Sequence, residues 1–244
     1  MNYKHLLLLL VGLLIGQAST AQKLLRPYLT FSHKKVAYIT LKDGTEIQGF
    51  IKGIDRKKGL IEEIKVKDLA GNKKKYHPDE IAHMYLPPSG FAKFAVTYEV
   101  MSDVRVWDNP ELTRSYIDMG YVYFEHADVK IKKETRSLLM QLLNPTFSSK
   151  VKVYHDPRAK ETTSVGFGKE PIEESIAKSY FIKTGESVVY KLRKKDYIEQ
   201  FPIIFQDCAS MLQKHEKPNW LDLEEHIYEY SQQCEQEKKV DDQN

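Results

Sequence analysis

The stretch YHPDEIAHMYLPP, residues 76–88, decides how the first half of this chain folds. It sets His77, Asp79, Glu80 and His83 close together, a spacing that suits either a metal site or a turn entering a strand. On a helix, Asp79 and His83 would lie on one side; on a strand, successive side chains point to opposite faces. Tyr85 and the pair Pro87-Pro88 oppose the helix, and the prolines end any ladder that precedes them. The strand reading groups His83 with Ile81 and Tyr85, and puts Ala82, Met84 and Leu86 on the other face. His77 then ends the preceding strand, and Pro78-Asp79 make the turn. Zinc needs three or four donors around one point, with histidine nitrogens at ~2.0–2.1 Å, and a strand carries His83 away from Asp79. The expectation is a buried strand with no metal or other cofactor; a metal-dependent hydrolase using His77, Asp79 and His83 is the alternative.

Working back from this stretch, residues 35–76 read as a meander of short strands. VAYITLK alternates Ala37, Ile39 and Leu41 on one face and stops at Asp43-Gly44, a signal for a two-residue hairpin turn. TEIQGFIKGID carries glycines at 49 and 53 that suit a strongly bent strand. RKKG, LIEEIKVKDL, AGNK and KKYH supply a turn, a strand, a turn and a short strand. Five strands with tight turns over 35–88 predict a small SH3-like or Sm-like β-barrel.

The residues 39–55, ITLKDGTEIQGFIKGID, resemble the first half of an Sm-like barrel, and DLAGNKKKYHPDEIAHMYL is similar to the closing part of small exported Sm-like proteins of bacteria. The whole layout also resembles a group of uncharacterised secreted proteins of Bacteroidetes type, through GYVYFE, LLMQLLNPTFSSKVKVY, KSYFIKTGE and a late FQDC. That resemblance implies an exported protein and assigns no activity. RNA binding is not implied, because the second half of the barrel segment lacks an RNA-binding signature.

From Ser89 the pattern changes. SGFAKFAVTYEVMSD has helical spacing, and Asn109-Pro110 begins a second helix that Gly120 ends. YVYFE, VKIKKE, LLMQLLN, KVKVYHD, KSYFIKTG and SVVYKL then predict a mostly antiparallel central sheet. Between the last three lies a polar loop, 157–176, whose Arg158, Lys160, Phe167 and Lys169 are candidate binding residues. Two amphipathic stripes follow: Tyr197, Phe201, Ile204, Cys208, Met211, and Trp220, Leu223, Ile227, Tyr230, Cys234. They predict a two-helix hairpin over 193–236 in which Cys208 and Cys234 form a disulfide, with Asn219 capping the second helix and Pro202 kinking or restarting the first. Residues 237–244 read as a polar tail.

The N-terminus has Lys4, the apolar run LLLLLVGLLIG and the small-residue stretch QASTAQ, the layout of a signal peptide over 1–21 with cleavage near Ala21. The run falls well short of the ~20 helical residues that span a membrane, so the mature chain, with a linker over 22–34, is expected to have no transmembrane helix. The formal charge of +3 is too small for a dedicated nucleic-acid binder. The lysine runs at 73–75, 130–133 and 193–195 read as edges and turns, with polyanion binding as a further alternative. No G-x-S-x-G, H-E-x-x-H or Walker motif occurs, and adjacent acids such as Glu62-Glu63 diverge on a strand. The fold class is thus α+β, with an N-terminal barrel, a central domain over 89–192 and a helical hairpin. The function that follows is an exported, non-enzymatic cell-envelope protein, periplasmic or extracellular, that binds another envelope protein or a surface glycan. Two tryptophans and fifteen tyrosines allow a carbohydrate-stacking surface, although aromatic residues at strand and helix periods mostly serve the core.

Overall fold

A computed structural model describes residues 24–89, 107–159 and 177–241, the last with side chains as far as Cys234. The signal segment, the helix expected after Ser89, and Lys160, Phe167 and Lys169 of the expected binding loop lie outside the described residues. The molecule is α+β. Strands β1 (Val36–Leu41), β2 (Glu46–Lys57), β3 (Leu60–Asp68), β4 (Lys73–Tyr76), β5 (Ile81–Leu86), β6 (Val122–Ile131) and β7 (Glu134–Gln141) form one antiparallel sheet in the order β4-β3-β2-β1-β5-β6-β7. Strands β8 (Val151–Tyr154), β9 (Ser179–Thr184) and β10 (Tyr190–Arg193) form a second, in the order β10-β9-β8. The helices are α1 (Arg114–Asp118), α2 (Tyr197–Ile204), α3 (Ala209–Lys214) and α4 (Leu223–Asp241).

The five strands expected over 35–88 are present, but they do not close into a barrel. β5 gives one edge to β1 and the other to β6, pairing His83 with Glu125 and Leu86 with Val122. The meander therefore grows outward into an open sheet that continues into β6 and β7. β2 is bent as its glycines suggested: the ladder with β3 shifts register between Ile51 and Gly53 and again between Asp55 and Arg56. A Cβ on Gly49 would meet the Lys67 carbonyl at 2.6 Å, so only glycine allows β3 to pass this closely. The turn after β1 is a three-residue loop, Lys42-Asp43-Gly44, closed by Leu41 N–H donating to Thr45 O at 2.9 Å, where a two-residue turn was expected. The two-residue hairpin sits at Lys58-Gly59, where both residues have positive φ.

β5 itself departs from simple alternation. Thr40 pairs with His83 but Leu41 with Ile81, leaving Ala82 as an extra residue. This bulge separates Ile81 from His83 and lets it join Met84 in full burial, against the expected grouping.

Two cores result. The larger sheet packs around Ile39, Ile51, Ile64, Met84, Leu86 and Phe124. The second core lies between the small sheet and the C-terminal helices, around Val153, Ile182, Leu192, Phe201, Leu223 and Ile227. The chain passes directly from one sheet to the other, because Leu143 N–H donates to Val153 O at 2.8 Å and His155 N–H to Gln141 O at 3.0 Å. Asn144, fully buried, pins this passage. Its amide donates to Phe147 O at 2.9 Å and Val151 O at 2.7 Å, and its Oδ1 accepts from Val153 N–H at 2.8 Å.

Residues 24–34, expected as a linker, form a strap. Leu25 N–H donates to Leu143 O at 2.7 Å and Ser32 N–H to Pro87 O at 2.8 Å. Gln141 takes Tyr28 N–H on its Oε1 at 3.0 Å and gives its amide to Arg26 O at 3.2 Å. Leu24, Leu25, Tyr28 and Phe31 are buried, Leu24 in the helical core and the others in the sheet core.

The expected helical hairpin has three helices. The first arm continues through Pro202 and breaks at Phe205–Cys208, so Cys208 precedes α3. The last helix is preceded by a 3-10 turn whose Asn219 Oδ1 accepts from Leu221 N–H at 3.2 Å, as its capping role predicted, and it continues into the stretch expected as a tail. Likewise, the helix expected from Pro110 begins only at Arg114; Asn109 Oδ1 accepts from Glu111 N–H at 3.0 Å in a preceding turn. Cys208 and Cys234 are disulfide-bonded, with α-carbons 5.7 Å apart. No helix among the described residues is long and apolar enough to cross a membrane.

Replacing Asn144 with Ala leaves buried carbonyls and an N–H without partners, and urea unfolding is expected to show a loss of about 2–4 kcal/mol. A loss under about 0.5 kcal/mol would show that water takes over the role. Converting both cysteines to Ser removes a cross-link spanning 26 positions, with an expected loss of about 3.5 kcal/mol in the same assay.

Candidate functional site

The small sheet alternates with a period of two, and its faces differ. Val151, Val153, Tyr180, Ile182 and Leu192 turn to the helices. Lys152, Tyr154, Phe181, Lys183 and Lys191 alternate with them and fall on the side toward the large sheet. Tyr154 and Phe181 belong to the core of the large sheet, and the lysines between them meet acids. Lys152 Nζ is 2.9 Å from Glu125 Oε2 and Lys191 Nζ is 2.5 Å from Asp156 Oδ2. Lys183 instead lines a cleft of about 280 Å³ with Lys150, Lys152, Asn109, Glu111 and Ser149.

One lining residue of the cleft, Lys152, belongs to a fixed polar set. Glu125 Oε1 accepts from Tyr154 Oη at 2.5 Å while its other oxygen takes Lys152. Burial, reinforced by Glu125, raises the Tyr154 hydroxyl far above its ordinary range, so it stays a neutral donor. Burial does the same to Tyr123. Asn109, almost wholly buried, donates to Ser148 Oγ at 2.8 Å, and Asp108 takes Ser149 Oγ at 2.8 Å.

An aromatic row runs across β1, β5 and β6. Cross-strand pairing of Tyr38 with Tyr85 and of Tyr85 with Tyr123 sets the rings in a row. Tyr116 stacks on Tyr38 with centroids 4.2 Å apart, and His83 lies 5.8 Å from Tyr123. Tyr38, Tyr116, Tyr121 and His83 are half-buried. Burial lowers the His83 imidazole, although Glu125 and Glu46 pull it up. Arg114 lies over the Trp107 ring, 5.7 Å from its centre, at the end of the same region.

The residues singled out in the sequence are dispersed. His77 is exposed and donates through Nδ1 to Glu62 O at 3.1 Å. Glu62 is the residue left over where the β2–β3 ladder slips, so the imidazole serves a carbonyl at a bulge. Asp79 is exposed in the turn, and His83 joins the aromatic row. Among the described residues no group of three His, Cys, Asp or Glu side chains could hold one ion. Arg158 is exposed and its N–H is held by Asp156 Oδ1 at 3.0 Å. The lysine run 73–75 is the edge strand β4, where Lys75 meets Glu63 at 3.0 Å and Lys74 lies 4.7 Å from the centre of the Tyr76 ring. Lys152, Lys183, Glu125 and Tyr154 did not stand out. The available signal was KVKVY itself, where lysine and tyrosine alternate with buried valines and so mark a strand with two occupied faces.

A second polar cluster lies in the helical core. Tyr197 Oη donates to His226 Nδ1 at 2.7 Å, His226 Nε2 to His215 Nδ1 at 3.2 Å, and His215 Nε2 to Glu229 Oε2 at 2.9 Å. Every donor has an acceptor when both imidazoles are neutral, which fixes their tautomers. Glu229 also takes Lys214 Nζ at 2.8 Å. Burial works against the Glu229 carboxylate, but the bonds from Lys214 and His215 hold it below its ordinary value. With Tyr197 and His226 both buried, this chain is structural.

No protein-family model matches the sequence, and neither a curated protein nor a solved structure matches the chain.

Burial, and then His215, lower His226 from 6.5 to about 4. Burial also lowers His155 to about 4, against Asp156. The unfolded chain therefore binds these protons first as pH falls, so stability is full above about pH 6.5 and is lost toward pH 4. Urea unfolding at pH 7 and pH 4.5 is expected to differ by on the order of 3 kcal/mol per histidine at most. His226→Gln is expected to flatten part of the slope, and an unchanged slope in that variant would contradict the assignment.

Proposed function

We propose that this chain is an exported, non-enzymatic binding module of the cell envelope, and that its ligand is a surface glycan carrying acidic groups. The observation that carries the reading is a cleft lined by Lys150, Lys152, Lys183 and Ser149, in a molecule whose large sheet also carries a row of half-buried tyrosines. Sugar rings have apolar faces that stack on aromatic side chains, and their hydroxyls and carboxylates seek fixed donors. Lys183, Ser149 and Lys152, the last held by Glu125, offer such groups at the cleft.

The polar groups favour binding over catalysis. Glu125 is held by two donors at once and Tyr154 is kept neutral by burial, so both act as fixed hydrogen-bond partners. The disulfide and the N-terminal apolar run support export to an oxidising compartment. A protein partner is the other occupant consistent with the expected role.

Titration of the full chain with uronic-acid oligosaccharides, followed by calorimetry, is expected to show saturable binding that neutral oligosaccharides of equal length do not. Lys183→Ala and Tyr116→Ala are each expected to weaken it about 10-fold, the loss of one charge-assisted hydrogen bond or one stacked ring. Equal affinity for acidic and neutral sugars, or binding untouched by both substitutions, would remove the cleft from the proposal.

A further inference from the structure

The tip of the β2–β3 hairpin meets the chain leaving β8. A Cβ on Gly59 would lie 2.5 Å from the Pro157 Cβ, so the two segments are in close contact. Two arginines bracket the turn: Arg56 Nη1 donates to Gly59 O at 3.2 Å, and Arg158 Nε approaches Lys58 O at 3.5 Å. Arg56 stands where the ladder slips, with Asp55 paired to Glu63 and Arg56 to Ile61. Bulges of this kind re-aim a side chain.

Arg56 Nη2 is buried and has no hydrogen-bond partner among the described residues. A guanidinium nearly always ends in a carboxylate, a carbonyl or water, because a buried cation without a counter-charge is costly. The neighbouring carboxylate, Asp156, is already committed. It takes Lys191 Nζ at 2.5 Å, Ser179 Oγ at 2.7 Å and Arg158 N–H at 3.0 Å. His155 is within electrostatic reach of Arg56, which opposes protonation of its imidazole. One cation and one imidazole thus share a place where, among the described residues, the neighbouring carboxylate is already taken by other donors.

We propose that Arg56 and His155, with Arg158 at the rim, form a binding site for an oxyanion, either free phosphate or a phosphate or carboxylate group borne by a larger ligand. The guanidinium fork matches two oxygens of such a group, and a protonated imidazole supplies a further charged donor. Burial alone lowers the Arg56 guanidinium, and burial also heads the causes that lower His155. An anion lodged between them reverses the second effect, since a negative neighbour favours the imidazolium. These residues are distinct from those of the glycan cleft, and neither reading requires the other.

The test uses the full chain in chloride buffer, with phosphate, glucose 6-phosphate or acetate added at matched ionic strength. At least one of the three is expected to raise the thermal midpoint by several degrees through binding to the folded state. Which of them does so separates free phosphate, ligand-borne phosphate and carboxylate. Arg56→Met removes the fork while keeping the length of the stem. This variant is expected to be at least as stable as the wild type in chloride and to lose the anion response. An equal rise in Arg56→Met would reveal a general salting effect and overturn the site, as would no rise in the wild type with any of the three. If Arg56→Met does not fold, NMR titration of His155 in the wild-type chain decides. Its pKa is expected to climb from about 4 by about one unit or more as the anion binds, and an unmoved titration curve would overturn the proposal.

Discussion

The three-stranded sheet must be apolar enough to be covered on both faces, and the rest of the molecule follows from that constraint. One face closes the helical core through Val151, Val153, Ile182 and Leu192. The other gives Tyr154 and Phe181 to the core of the large sheet. A sheet covered on both sides has no solvent face on which to place charge, so its lysines must find acids or an opening. Lys152 and Lys191 find Glu125 and Asp156, and Lys183 finds the cleft. Two of the lysines that line the cleft, Lys152 and Lys183, thus come from the sheet that the two cores share.

Local pattern foretold most of the elements. Alternation and turn residues located the strands of 35–88, and the spacing of Tyr197, Phe201, Ile204 and Trp220, Leu223, Ile227 located the helical arms with both cysteines on their buried stripes. Whether the meander would close was not legible, because the partner of β5's free edge is β6, and nothing between Ile81 and Leu86 encodes that choice. The bulge at Ala82 was equally hidden, since strict alternation and its interruption give similar apolar counts over so short a strand. Leu24, Leu25 and Tyr28 looked like a linker because their partners, Leu143 and Gln141, lie far along the chain. The same distance concealed the site: Glu125 and Tyr154 acquire meaning only when the sheets come together.

The polar interior divides into two kinds. Asn144, Asp156 and the Tyr197–His226–His215–Glu229 chain have their bonds completed by the fold, which marks them as parts of its frame. The half-buried tyrosines, Lys183 and the Arg56 guanidinium keep surface or donors in reserve. Recognition chemistry has room to act on the second kind.

The strap over 24–34 carries an implication for biogenesis. It touches Pro87, Gln141, Leu143 and, through Leu24 N–H at 3.1 Å, the Glu224 carboxylate near the start of α4. The first part of this region to be synthesised is thus docked by groups that are among the last. Contacts so remote along the chain close slowly, since loop entropy must be overcome before they form. Until the C-terminal helix has emerged and folded, the strap lacks its full seat.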